Sequence, residues 1–113
     1  MRHPQLYLDN PAATAAEYHL AAARAYGHAR TEAKRADREY RHARNMARQA
    51  AWLMGRPQDW DEAVRYTPAR YERDAATAER MGNTYLRAYF RTVDHARHCT
   101  RLARRYEVMA GAR

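Results

Sequence analysis

The stretch Ala29-Arg30-Thr31-Glu32-Ala33-Lys34-Arg35-Ala36-Asp37-Arg38-Glu39-Tyr40-Arg41-His42-Ala43 decides how this chain folds. Alanine stands at 29, 36 and 43, and the same seven-residue step takes in Ala15, Ala22 and Ala50. Seven residues are nearly two helical turns, so these methyls return to one side of a single long helix. A side with so little bulk lets another helix lie close against it. The cations Arg30, Lys34, Arg38, Arg41, Arg44 and Arg48 fall away from that side.

Working outward, the limits of this helix are legible. Asp9 or Asn10 can cap it and Pro11 suits its first turn. No proline follows until Pro57, and Gly55 marks the end. Helix one is therefore expected over residues 11–54, after an irregular lead-in over 1–10, and is about 60 Å long at 1.5 Å per residue. Residues 55–67 form a connection in which Trp60–Tyr66 can make a short helical turn. Thr67 then caps and Pro68 opens helix two, expected to run over 68–110 and to end before Gly111. Its apolar positions include Tyr71, Ala75, Ala78, Met81, Tyr85, Tyr89, Val93, Ala96, Cys99, Ala103, Tyr106 and Ala110. They step by threes and fours, as a coiled-coil seam does. Gly82 lies near the seam and permits close approach, at about 1 kcal/mol in helix propensity.

The fold expected is all-α: a single domain over residues 1–113, built as an antiparallel two-long-helix hairpin with an alanine seam. Tyr85, Tyr89, Ala96 and Ala103 of helix two should face Ala15, Ala22, Ala29, Ala36, Ala43 and Ala50, with tyrosines filling the space opposite alanines. Leu86, Phe90, Leu102 and Met109 fall outside the stripe, which calls for a second packing surface such as the pairing of two hairpins into a four-helix bundle. Alanine brings only about 0.8 kcal/mol per buried methyl. A chain of 113 residues with so lean a core is expected to gain burial as a homo-oligomer or as a subunit of a larger complex.

Charge is the other strong signal. The net charge is +8, and Lys34 is the sole lysine among 21 basic residues. Residues 24–48 hold eight basic and three acidic side chains, and residues 80–113 hold eight and two. Residues 56–79, around the bend, hold four and six. Basic shafts favour a polyanion: nucleic acid, an acidic protein or anionic lipid. Guanidinium forks bind phosphate oxygens in pairs, and a helical ladder of them suits a phosphate backbone. The phosphate contacts assigned on this basis are Arg30, Lys34, Arg38, Arg41, Arg44 and Arg48 on helix one. On helix two they are Arg87, Arg91, Arg101 and Arg105, with Arg73 and Arg80 also pointing outward. The competing interpretation is a solvated face laced by Glu32–Arg35, Asp37–Arg41 and Glu39–Arg35 pairs. No helix-turn-helix or zinc-finger pattern accompanies the charge, so contact would be to the backbone with little sequence selection, DNA or RNA alike. A membrane role fits less well, because the apolar stripe is mostly alanine and offers little insertion energy.

Catalysis finds little support. The chain has no serine and no glycine-rich phosphate loop. Cys99 lies on the apolar stripe, where a buried inert thiol is expected. No enzyme activity and no cofactor are expected. One cysteine and no apolar leader fit a cytoplasmic protein. Two metal arrangements are conceivable. Glu39 and His42 make a Glu-x-x-His step with Glu79 level with them. In that step the chain resembles carboxylate-bridged ferritin-like hairpin dimers, although helix two has no second such step. His28, Asp94, His95 and His98 fall at one level and carry ligand types that zinc accepts. Trp52 and Trp60 flank the bend, where core or lid packing is expected, or a knob for a protein partner.

Two further resemblances concern gross form. Trp52-Leu53-Met54-Gly55 at the bend of a small hairpin resembles the Trp-x-Gly of type VII secretion substrates, with one residue too many between Trp and Gly. Size, helicity and basic shafts are similar to small subunits of CRISPR effector complexes. That resemblance implies side-by-side copies contacting a nucleic-acid backbone. The function expected is a non-catalytic accessory subunit binding nucleic-acid backbone. The alternative is an adaptor hairpin recognising an acidic protein.

Overall fold

The computed structural model describes residues 9–55 and 67–111. They form two long helices, α1 (Pro11–Met54) and α2 (Pro68–Gly111), arranged as an antiparallel helical hairpin. Among the described residues there is no strand. The short turn expected at Trp60–Tyr66, and the lead-in before Asp9, lie outside them.

Local chemistry accounts for the helix ends. At the start of α1, Asn10 Oδ1 accepts a hydrogen bond from Ala13 N at 3.1 Å. Asn10 thus satisfies a free first-turn amide, as a capping residue does. Pro11 follows it, with its fixed φ and no N–H to satisfy. At the other end Gly55 N donates to Trp52 O at 3.3 Å, a tightened last turn. Thr67 starts α2 in the same manner as Asn10 starts α1: its Oγ1 accepts from Arg70 N at 3.2 Å. Helix two runs one residue further than expected, through Gly111. Among the described residues no glycine adopts a positive φ. Gly111 thus carries no left-handed cap that would stop the helix before it.

The chain divides into two compact units. In the first, residues 9–31 pack with 88–111. Its buried side chains include Ala15, Ala22, Ala25 and Ala29 of α1 and Ala96, Cys99 and Ala103 of α2, with Ala96 and Ala103 at 0% exposure. A stacked pair, Tyr18 on Tyr106, stands at the edge of this core with centroids 5.8 Å apart and ring planes 15° from parallel. The tyrosines here meet each other, whereas the sequence suggests tyrosine filling space opposite alanine. The contact is sterically natural, because both side chains are half-buried and need an apolar face to cover.

In the second unit, residues 32–55 pack with 67–87. Ala36, Ala50, Leu53 and Ala78 are buried, while Ala43 and Tyr85 are half-buried. Its tightest contact is Tyr40 over Gly82. A Cβ placed on Gly82 would come within 2.8 Å of the Tyr40 ring. Tyr40 also donates its hydroxyl proton to Asn83 Oδ1 at 2.6 Å. Glycine at 82 is therefore the socket for a tyrosine, and the hydroxyl holds the ring in register. Among the described residues no large side chain is fully buried in either unit, so the described part of each core is thin by the measure of ordinary domains.

Candidate nucleic-acid interface

Because alanine takes the inward positions, the long cations are left outside. In the second unit Lys34, Arg38, Arg41, Arg44 and Arg48 of α1 are all exposed, as is Arg87 of α2. In the first unit Arg30 of α1 and Arg91, Arg101 and Arg105 of α2 are exposed. At 100° per residue, Lys34, Arg38, Arg41 and Arg48 lie on the side of α1 opposite Ala36 and Ala50. Part of this side is a shallow concavity lined by Lys34, Asp37, Arg38, Arg41, His42 and Asn45. Every lining residue comes from one helix, so the shape follows from helical spacing alone.

One carboxylate sits within the cationic side. Arg41 donates to Asp37 Oδ2 from Nε at 2.9 Å and also from Nη2. The hydrogen bond from Arg41 holds the Asp37 carboxyl below its usual range; desolvation opposes this, and the charges of Arg41 and Arg44 add to it. The same contact raises the Arg41 guanidinium above its ordinary value. This pair was legible as an i,i+4 step and is the ion pair of the competing, solvated-face interpretation. Arg35 behaves otherwise: its guanidinium carbon lies 5.9 Å from the centre of the Tyr85 ring, within reach of a cation–π contact. Arg80 donates to Thr77 Oγ1 at 3.2 Å.

The metal candidates are not gathered into a centre. Among the described residues no three of His, Cys, Asp and Glu are grouped to hold an ion. Glu39 is half-buried, whereas His42 and Glu79 are exposed. Sharing a level along two helices does not turn side chains towards one point. His28, Asp94, His95 and His98, all exposed, likewise form no group that could hold an ion. Cys99 is buried, and its Sγ lies 3.6 Å from His95 Nε2.

Some positions depart from the sequence analysis. Trp52 is 51% exposed and Met54 69%, so two of the large apolar side chains at the bend end of α1 are exposed while Leu53 between them is buried; Trp60 lies outside the described residues. His19 pairs with Glu107, a contact that becomes visible only once the register of the hairpin is known. Arg97 and Arg104 are exposed on α2 although neither was among the assigned phosphate contacts. The signal available was a seven-residue step from Phe90 to Arg97 and another from Arg97 to Arg104.

No family model matches the chain, and neither a curated protein nor a solved structure is similar to it at a significant level.

Proposed function

We propose that this protein is a non-catalytic helical module that binds the phosphate backbone of nucleic acid without sequence selection, as a subunit of a larger assembly. The observation that carries this is the exposure of all ten assigned cations: Arg30, Lys34, Arg38, Arg41, Arg44 and Arg48 on α1, and Arg87, Arg91, Arg101 and Arg105 on α2. Exposure at a net charge of +8 favours a polyanion, and guanidinium forks favour phosphate. Asp37 tempers the site: phosphate on Arg41 competes with a carboxylate already in place. The assembly part of the proposal rests on the alanine core and on Trp52 and Met54, which offer apolar area at one end of α1. The same two side chains favour the second reading, an adaptor that recognises a protein.

The test is charge reversal read against sequence. Arg38→Glu with Arg44→Glu should weaken binding to several unrelated oligonucleotides by the same factor, because backbone contacts carry no base information. Loss confined to one sequence, or no loss at all, contradicts the proposal. Capture of an acidic protein by the parent, weakened in the variant, with no nucleic-acid binding by the parent, would establish the adaptor reading in its place.

A further inference from the structure

The sole phenylalanine of the chain, Phe90, is 57% exposed. Alanines fill the core while the one benzyl side chain stands in solvent. Taking Phe90 as the origin of a helical wheel, Arg97 falls at about −20°, Arg101 at about +20°, Arg104 at about −40° and Val108 at about 0°. Those five residues thus form one line along α2, within the first unit, and every one is exposed. Val108, at the far end, is 72% exposed. Asp94 is the one acid near this line. The Phe90 ring meets the Tyr89 ring edge-on, with centroids 5.3 Å apart and planes 63° from parallel. The neighbour therefore limits the ring's freedom while more than half of its side chain stays open.

A line of three guanidiniums ended by an open aromatic ring has the two parts that recognise an unpaired nucleic-acid strand: cations for the backbone and a ring face for a base. A duplex offers only the first part, because its bases are stacked inside. We infer that this stripe binds single-stranded nucleic acid, with Phe90 stacking on a base while Arg97, Arg101 and Arg104 hold neighbouring phosphates. The inference rests on the backbone-binding reading above and narrows its substrate class to single strands. Two other occupants fit less well. A second copy joined by a two-fold axis would bring this patch against itself, setting like-charged guanidiniums face to face. An anionic membrane would find two separated apolar side chains, too few to insert as an amphipathic helix does.

The test is fluorescence anisotropy with a labelled mixed-sequence oligonucleotide, as a single strand and as its duplex, at one low salt concentration. The full chain, Phe90→Ala and Phe90→Trp are compared, with circular dichroism confirming equal helicity. The single strand should bind more tightly than the duplex. Phe90→Ala should weaken the single strand by about 5- to 150-fold, the range set by stacking one base, and change the duplex less than twofold. Phe90→Trp should keep the affinity, and its added emission should be quenched by the single strand. Equal binding of single strand by the parent and Phe90→Ala overturns the inference and leaves the backbone reading standing. Absence of binding to either form by the parent overturns both. A Phe90→Ala loss seen only on phosphatidylserine vesicles assigns the stripe to lipid and overturns the inference as well.

Discussion

The two units solve one problem in different ways. Each must join two helices whose facing residues are mostly alanine. The first unit does it by reduction: Ala96 and Ala103 are at 0% exposure beside the buried Ala15, Ala22 and Ala29, and a stacked tyrosine pair closes the edge. The second does it by a knob and a socket, with Tyr40 seated on Gly82 and tethered to Asn83. The difference shows that an alanine repeat fixes how near two helices can come but not what locks them. Locking falls to a few aromatic side chains at particular levels.

The comparison makes unequal demands on substitutions. The largest effect is expected from Ala96→Leu in the first unit. A fully enclosed methyl cannot grow by three carbons without parting the helices, and overpacking should cost about 3 kcal/mol in a urea melt. A loss below about 0.5 kcal/mol, within the usual range for surface substitutions, would mean that the contact is looser than described.

Gly82→Ala comes next. Two effects oppose each other: alanine recovers about 1 kcal/mol of helix propensity, while its Cβ strikes the Tyr40 ring at a cost of about 1–3 kcal/mol. The collision should win, leaving a net loss of about 1 kcal/mol. In a Tyr40→Ala background the collision vanishes, so the same change should turn stabilising. No change of sign would break the knob-and-socket account.

A double-mutant cycle on Tyr18 and Tyr106 should give a coupling of about 1 kcal/mol, as stacked aromatic pairs do. Additive single effects would remove the stack as a lock in the first unit. The smallest effect concerns Asp37. Its folded-state pKa lies below the ordinary value, so its contribution is complete above the unfolded pKa and is lost as pH falls through the folded one. By NMR, the Asp37 carboxyl should titrate below 3.8 and shift upward in Arg41→Gln. An unmoved midpoint would mean that Arg41 does not hold it.

The sequence made much of this fold legible because alanine periodicity, caps and breakers are local. Pro11, Gly55, Thr67 and Pro68 fall at helix ends, as expected. What it could not supply was pairing across the helices. Gly82 could be placed near the seam, but Tyr40 could not be named as its partner, because that depends on register to within one residue. The same gap explains the metal candidates. The spacing could set Glu39, His42 and Glu79 at similar levels, but among the described residues they form no group that could hold an ion. Outward cations, by contrast, needed only the wheel of one helix. The same wheel places Arg97 and Arg104 outward, in line with Phe90.

The central claim is that alanine draws the helices together and leaves the guanidiniums free to meet phosphate. The direct measurement is the dissociation constant for a labelled mixed-sequence strand over 50 to 200 mM salt, a range of about fourfold. Contact with six or more phosphates of a single strand predicts a loss of affinity of about 300-fold or more across that range. Arg38→Glu with Arg44→Glu should flatten the slope. An affinity that does not change with salt, or no binding at the lowest salt, would contradict the account.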